Sequence, residues 1–256
     1  MSKRKLIKAV TTGAAFVAVL VTGMSVVPSR GRADDKNDNN AAQDEKQMIQ
    51  TGLTVAATSG IHLNMVGKDP DMVGLGSYLV NVAGDCNGCH TADPSVEFTP
   101  QGNPYLLMPP NGPFTGIKKI NPAAYLGGGS DFGAFPSPGG TVHIISRNLT
   151  PGKSRIPELD HTLSQFTEIL RTGIDLDKVH PNCNLKTNPP ITTNCLLGLP
   201  GFNPPGVPPF DGSKLQVMPW TAFQNMTDRQ ITAIYTYLST IPCLEGGPGE
   251  KPGRCN

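Results

Sequence analysis

Five consecutive residues carry the chain's clearest chemistry: Cys86, Asn87, Gly88, Cys89 and His90. Two thiols three positions apart on one helical turn lie on one side, where they can form thioethers with the two vinyl groups of a haem. The imidazole that comes next can reach the iron from the proximal face. The same cysteines invite other readings. A thioredoxin-like dithiol wants a strand before the motif and a helix after it. Half a zinc site needs a second ligand pair, and the chain has no second C-x-x-C.

A haem held by His90 leaves a sixth position at the iron, which electron carriers commonly fill with Met because the soft sulfur stabilises the ferrous state. Met65, Met72, Met108, Met218 and Met226 are the candidates. Met218 is favoured, because the proline in Met218-Pro219-Trp220 biases the residue before it towards extended backbone and so presents its side chain. Met108-Pro109 has the same local form and is the main competitor; core filling is the ordinary role of any single Met. Trp220, the only Trp, can pack on the haem edge or donate its N–H to a propionate, and plain core packing serves it equally well. His143, His161 and His180 read as surface or loop hydrogen-bonding groups, with His143 or His180 as substitute ligands should Met218 fail.

Three segments have helical periodicity. Leu75, Tyr78, Leu79 and Val82 recur at i, i+3, i+4 and i+7, with Gly84 as the stop. Thr162 with Gln165 forms a capping box ahead of Leu163, Phe166, Ile169 and Leu170, and Gly173 is the left-handed cap. Thr227 with Gln230 forms another ahead of Ile231, Ile234, Tyr235, Leu238 and Ile241, with Pro242 as the end. Residues 141–146 can make a short strand or an extended loop. Charged residues are only 16% of the 256, which excludes a long coiled coil and a Lys/Arg-rich nucleic-acid binder. Gly 29 and Pro 25 require much of the chain to run as loops.

Lys3, Arg4, Lys5 and Lys8 precede an apolar run from Ala9 to Val27, with small residues at Gly31 and Ala33. This is the layout of a secretory signal over 1–33, or of an uncleaved N-terminal anchor giving membrane association. Both export the remainder, to the periplasm or beyond. Six of the 21 basic residues and none of the 20 acidic ones lie in 1–33, so cleavage after Ala33 leaves a net charge of −5. Residues 34–60 are polar and read as a flexible linker, with the ordered domain over 61–256. Cys183, Cys195, Cys243 and Cys255 allow three pairings. Neighbours in sequence are favoured, because each such pair is 12 positions apart in a Pro-, Gly- or Asn-rich loop. The bridges suit an oxidising compartment, and a four-cysteine zinc site is the alternative. Asn148-x-Thr150 and Asn225-x-Thr227 match a glycosylation pattern too short to weigh much.

Gly76-Ser77-Tyr78-Leu79 leading to Gly84-Asp85-Cys86-x-x-Cys89-His90, with Met218-Pro219-Trp220, Met226-Thr227-Asp228, Ile234-Tyr235 and Tyr237-Leu238, resembles the class I c-type cytochromes. The nearest likeness is to a haem domain of the cytochrome subunits of quinoprotein alcohol dehydrogenases. Those domains also carry segments similar to Asn148-Leu149-Thr150-Pro151 and to Arg171-Thr172-Gly173. The resemblance covers about Gly74 to Pro242. It implies a mainly α, cytochrome c-like fold around one haem c, with the first and last helices crossing near it and His90 and Met218 as ligands. It also implies a non-enzymatic electron carrier between a periplasmic dehydrogenase and an oxidase or another cytochrome. The chain departs from those subunits in having one C-x-x-C-H where they carry several haems. It also has long additions at about 100–140 and 174–213. Three other functions stay open: a haem enzyme or gas sensor with an open or displaceable sixth position, a thiol–disulfide oxidoreductase using Cys86 and Cys89, and a docking subunit whose haem is structural. A net negative charge favours redox partners with basic docking patches.

Overall fold

The computed structural model describes residues 31–99, 102–104, 119–137, 140–176, 214–215, 217–246 and 253–256. The apolar N-terminal run, Met108, His180, Cys183, Cys195 and most of the second long addition therefore lie outside the described residues. The chain divides into two units, Met1–Asn40 and Ala41–Asn256. Of the first, the described part is the opening of helix α1, Gly31–Thr58. Among the described residues no helix is long and apolar enough to cross a membrane.

The second unit is mainly helical. Asp69 caps helix α2, Pro70–Tyr78, by accepting from the Asp71 N–H, and Pro70 occupies the first turn, where its missing N–H costs nothing. Helix α7, Asp228–Leu238, crosses α2 at Gly76, and a Cβ on Gly76 would lie 2.0 Å from the Ala233 carbonyl oxygen. Around the crossing Val73, Leu75, Ile231, Tyr237 and Leu238 are almost completely buried. Both expected capping boxes form. Thr227 and Gln230 start α7, while Thr162 and Gln165 start helix α5, Leu163–Thr172, which follows the short helix α4, Pro157–Asp160, and which Gly173 closes in the left-handed conformation at φ +69°. Helix α7 ends at Leu238, short of Pro242, yet Ile241 remains fully buried.

Residues 34–60 differ from the expected flexible linker. They are helical to Thr58, and Ile49, Gly52, Leu53 and Ala56 form one stripe at i, i+3, i+4 and i+7. A Cβ on Gly52 would lie 1.9 Å from the Gly74 carbonyl oxygen, and the Ser77 hydroxyl donates to the Gly52 carbonyl at 2.7 Å. The close backbone approach buries Ile49 and Ala56, so tertiary packing overrides the polar composition.

The expected helix over Leu75–Val82 is also modified. After Tyr78 the chain passes into a π turn, Leu79–Ala83, in which the Gly84 N–H bonds back to the Leu79 carbonyl at 2.9 Å. One extra residue in the turn rotates the rest of the segment about its axis. Val82, on the expected apolar stripe, is 45% exposed, and Val80 takes the buried place. Asn81 holds the turn, donating to the Ser77 carbonyl and to the Tyr237 hydroxyl, and accepting from the Tyr125 hydroxyl at 2.6 Å.

The segment 141–146 does form a strand. Strand β2, Gly140–Ile145, pairs antiparallel with β1, Asp131–Ser137, in a two-stranded sheet. The described part of the first long addition packs into the body: Ile120, Ala124, Tyr125 and Leu126 are buried. Cys243 and Cys255 are disulfide-bonded with Cα atoms 5.7 Å apart, as the spacing suggested, which removes them from any four-cysteine zinc site.

Candidate functional site

The π turn delivers the chain to Gly84 and then to Asp85, which takes the left-handed conformation at φ 43°. That sharp reversal starts a separate five-residue helix α3, Cys86–His90, so the motif forms its own turn instead of ending the preceding helix. Asn87 is buried beneath it and accepts from the Leu126 N–H at 2.8 Å, which ties the turn to the first long addition.

A cleft of about 1130 Å³, counting solvent at its mouth, opens above this turn. Cys86, Cys89 and His90 form one wall. Met218 lies on the same cleft, flanked by Val217 and Pro219. The remaining lining is nearly all apolar: Val80 from the π turn, Phe166, Ile169 and Leu170 from α5, Ile234 and Leu238 from α7, and Phe132, Ile144 and Ile145 from the β hairpin.

The His90 ring is held by its Nδ1–H, which donates to the Arg147 carbonyl oxygen at 2.8 Å. With the proton fixed on Nδ1, Nε2 is the nitrogen with a lone pair for a metal. Arg147 also lines the cleft, and its guanidinium makes a largely buried ion pair with Asp175. Sequence reasoning missed this residue. A backbone acceptor 57 positions away leaves no side-chain signature, and the one pointer was its position next to the Asn148-Leu149-Thr150 segment.

Met218 is placed by the end of α5. The Leu215 N–H donates to the Gly173 carbonyl at 2.7 Å, and the Lys214 ammonium to the Thr172 carbonyl at 2.8 Å. Arg171 then reaches the Gln224 carbonyl and the Asp228 carboxylate, fixing α5 to the start of α7. Short helix α6, Trp220–Phe223, completes the strap. Trp220 itself does not line the cleft. Its indole lies on Gly173, where a Cβ would come within 2.3 Å of Cε2, and the Lys214 ammonium sits 5.7 Å from the ring centroid. Gly173 has no side chain where the half-buried ring lies.

Met65, Met72 and Met226 pack against the core and do not line the cleft. His143 pairs with Asp131 on the hairpin, and His161 is buried with its carbonyl accepting from the Tyr235 hydroxyl; neither reaches the cleft. Asn148 is fully buried and hydrogen-bonded, which is incompatible with glycosylation of the folded chain.

Burial pushes the Cys86 thiol up to about 12, with the neighbouring Asp85 and Cys89 charges adding to the effect. A thiol so protonated is a poor nucleophile for disulfide exchange near neutral pH.

Comparison with known proteins adds nothing to this. No family model matches the chain, and no curated protein or solved structure is significantly similar to it. The site's chemistry rests on its own residues. Two thiols, an imidazole and a thioether around an apolar cleft are a donor set that could hold a haem.

Proposed function

We propose that the chain is a single-electron carrier of the class I cytochrome c kind, exported from the cytoplasm, binding one haem c through thioethers at Cys86 and Cys89. The observation that carries the reading is the convergence of these two thiols, the oriented His90 imidazole and the Met218 thioether on one apolar cleft. A bound haem supplies a centre that takes up and releases one electron. His90 and Met218 would hold the iron, so that the chain itself would supply the ligands and substrate chemistry would be disfavoured. The apolar walls exclude water. The π turn that precedes the motif, in place of the strand a thioredoxin-like dithiol wants, opposes the thiol–disulfide oxidoreductase alternative. The partners we favour are a periplasmic dehydrogenase as donor and an oxidase or another cytochrome as acceptor.

The test is a potentiometric titration with absorption spectra of protein produced alongside haem-maturation machinery. One covalently retained haem with low-spin spectra in both oxidation states is expected. Colourless protein overturns the reading. A red protein whose ferrous form binds carbon monoxide rapidly at neutral pH overturns the carrier role in favour of a haem enzyme or gas sensor.

A further inference from the structure

The carbonyl that orients His90 belongs to a segment with little regular structure of its own, and its position must come from elsewhere. Asn148 and Thr150, immediately after Arg147, are both fully buried. The Asn148 side chain donates to the Leu244 carbonyl at 3.0 Å and accepts from the Thr150 N–H and hydroxyl at 2.9 and 2.7 Å. The Leu244 N–H returns to the Thr150 hydroxyl at 3.1 Å. Leu244 is next to Cys243, one half of the disulfide, and Arg254 precedes the other half. The Arg254 guanidinium donates to the Thr150 carbonyl, and its own carbonyl accepts from the Lys153 N–H at 3.2 Å. Glu245 closes the set by accepting from the Arg254 and Cys255 N–H groups.

From this we infer that the C-terminal Cys243–Cys255 loop is a brace for the proximal histidine, with Asn148, Thr150 and Arg254 as positioning residues that act through the Arg147 carbonyl. Cross-linking keeps Leu244 and Arg254 together, and they grip Asn148 and Thr150 from two sides. Gly128 fills the space behind. A Cβ there would lie 2.3 Å from the Asn148 nitrogen, while its N–H bonds the His90 carbonyl at 2.8 Å. The histidine is thus tied to the braced segment through both backbone and ring. The consequence for the iron rests on the proposed haem function; the brace itself does not.

The test uses the full chain carrying Cys243→Ser with Cys255→Ser, and separately Arg254→Gln, which leaves the disulfide intact. Amide hydrogen exchange is compared at Leu149, Thr150 and Leu244 and, as a reference, along α7. Loss of the brace is expected to speed exchange at the first three by about tenfold while α7 is unchanged, the size expected for losing one or two buried hydrogen bonds. If the double variant loses protection everywhere, Arg254→Gln decides between the outcomes. Unchanged protection at Leu149 and Thr150 overturns the brace, whether or not the chain binds haem. In haem-loaded protein both variants should also raise the midpoint potential, because a weaker Nδ1–H bond makes the imidazole a poorer donor to ferric iron. A purely structural role would leave the potential where it was.

Discussion

At Cys86 and Cys89, two chemically identical side chains meet different surroundings: Cys86 is half-buried and Cys89 exposed. With the Cys86 thiol raised from its ordinary 9.0 to about 12, its thiolate fraction near neutral pH falls by about a thousandfold. In the haem-free chain, brief alkylation at neutral pH followed by peptide mass analysis should find Cys89 modified and Cys86 intact; equal labelling would contradict the burial. The pKa is raised, so the folded form holds the proton more tightly than the unfolded one. Its contribution to stability is complete below the ordinary value and is lost as pH climbs towards 12. Met218→Ala in the loaded protein is expected to lower the midpoint potential, because the thioether favours ferrous iron. An unchanged potential would remove Met218 as ligand. The cysteines and histidine were legible because their chemistry lies within five consecutive residues. The Arg147 carbonyl was not, because any residue type offers the same acceptor.

Among the elements, α5 and α7 were readable to the residue at their starts because a capping box is a local device whose two bonds involve neighbours three apart. Thr227→Ala should cost about 1 kcal/mol, measured as a shift in denaturant midpoint. The crossing of α2 over α7 depends on a missing side chain. Gly76→Ala would drive a methyl against the Ala233 carbonyl and is expected to destabilise by roughly 1–3 kcal/mol or more, in the range of overpacked cores. A midpoint unchanged within error would mean the helices are not so close. Helix α1 was missed because half of its buried stripe is Gly52 and Ala56, residues that read as weakly apolar, and because the partner that rewards the stripe, Gly74, lies 22 positions on. The π turn was likewise hidden. Periodicity assumes 3.6 residues per turn, and what breaks it here is a buried cluster of Asn81, Tyr125 and Tyr237 assembled from three distant parts of the chain.

For the whole molecule, the mainly helical class was evident from the sequence pattern, while the way the described part of the first long addition enters the body was not. Its buried residues Ile120, Tyr125 and Leu126 sit among Gly and Pro, and the composition signalled loop. The proposed carrier role makes a further demand at this scale. If the mature chain is net negative, its second-order rate with a basic redox partner should fall as ionic strength rises from 0.01 to about 0.15 M, where the screening length shrinks from about 30 to 8 Å. A rate that rises with salt would mean repulsion between like charges, and would show that the face of the chain meeting the basic partner is not negative.

Ile174 pairs with Lys214 across the base of the second long addition, and the neighbouring bonds from 214 and 215 to the end of α5 seal the same junction. That clasp lies in the chain just ahead of the strap that carries Met218 and anchors the strap to α5. The junction is consequently a grafting point. A glycine–serine insert placed next to the clasp should leave the colour of the loaded protein untouched, since each doubling of a flexible loop costs only about 0.6 kcal/mol in closure entropy, so an affinity tag or electrode anchor could be spliced there.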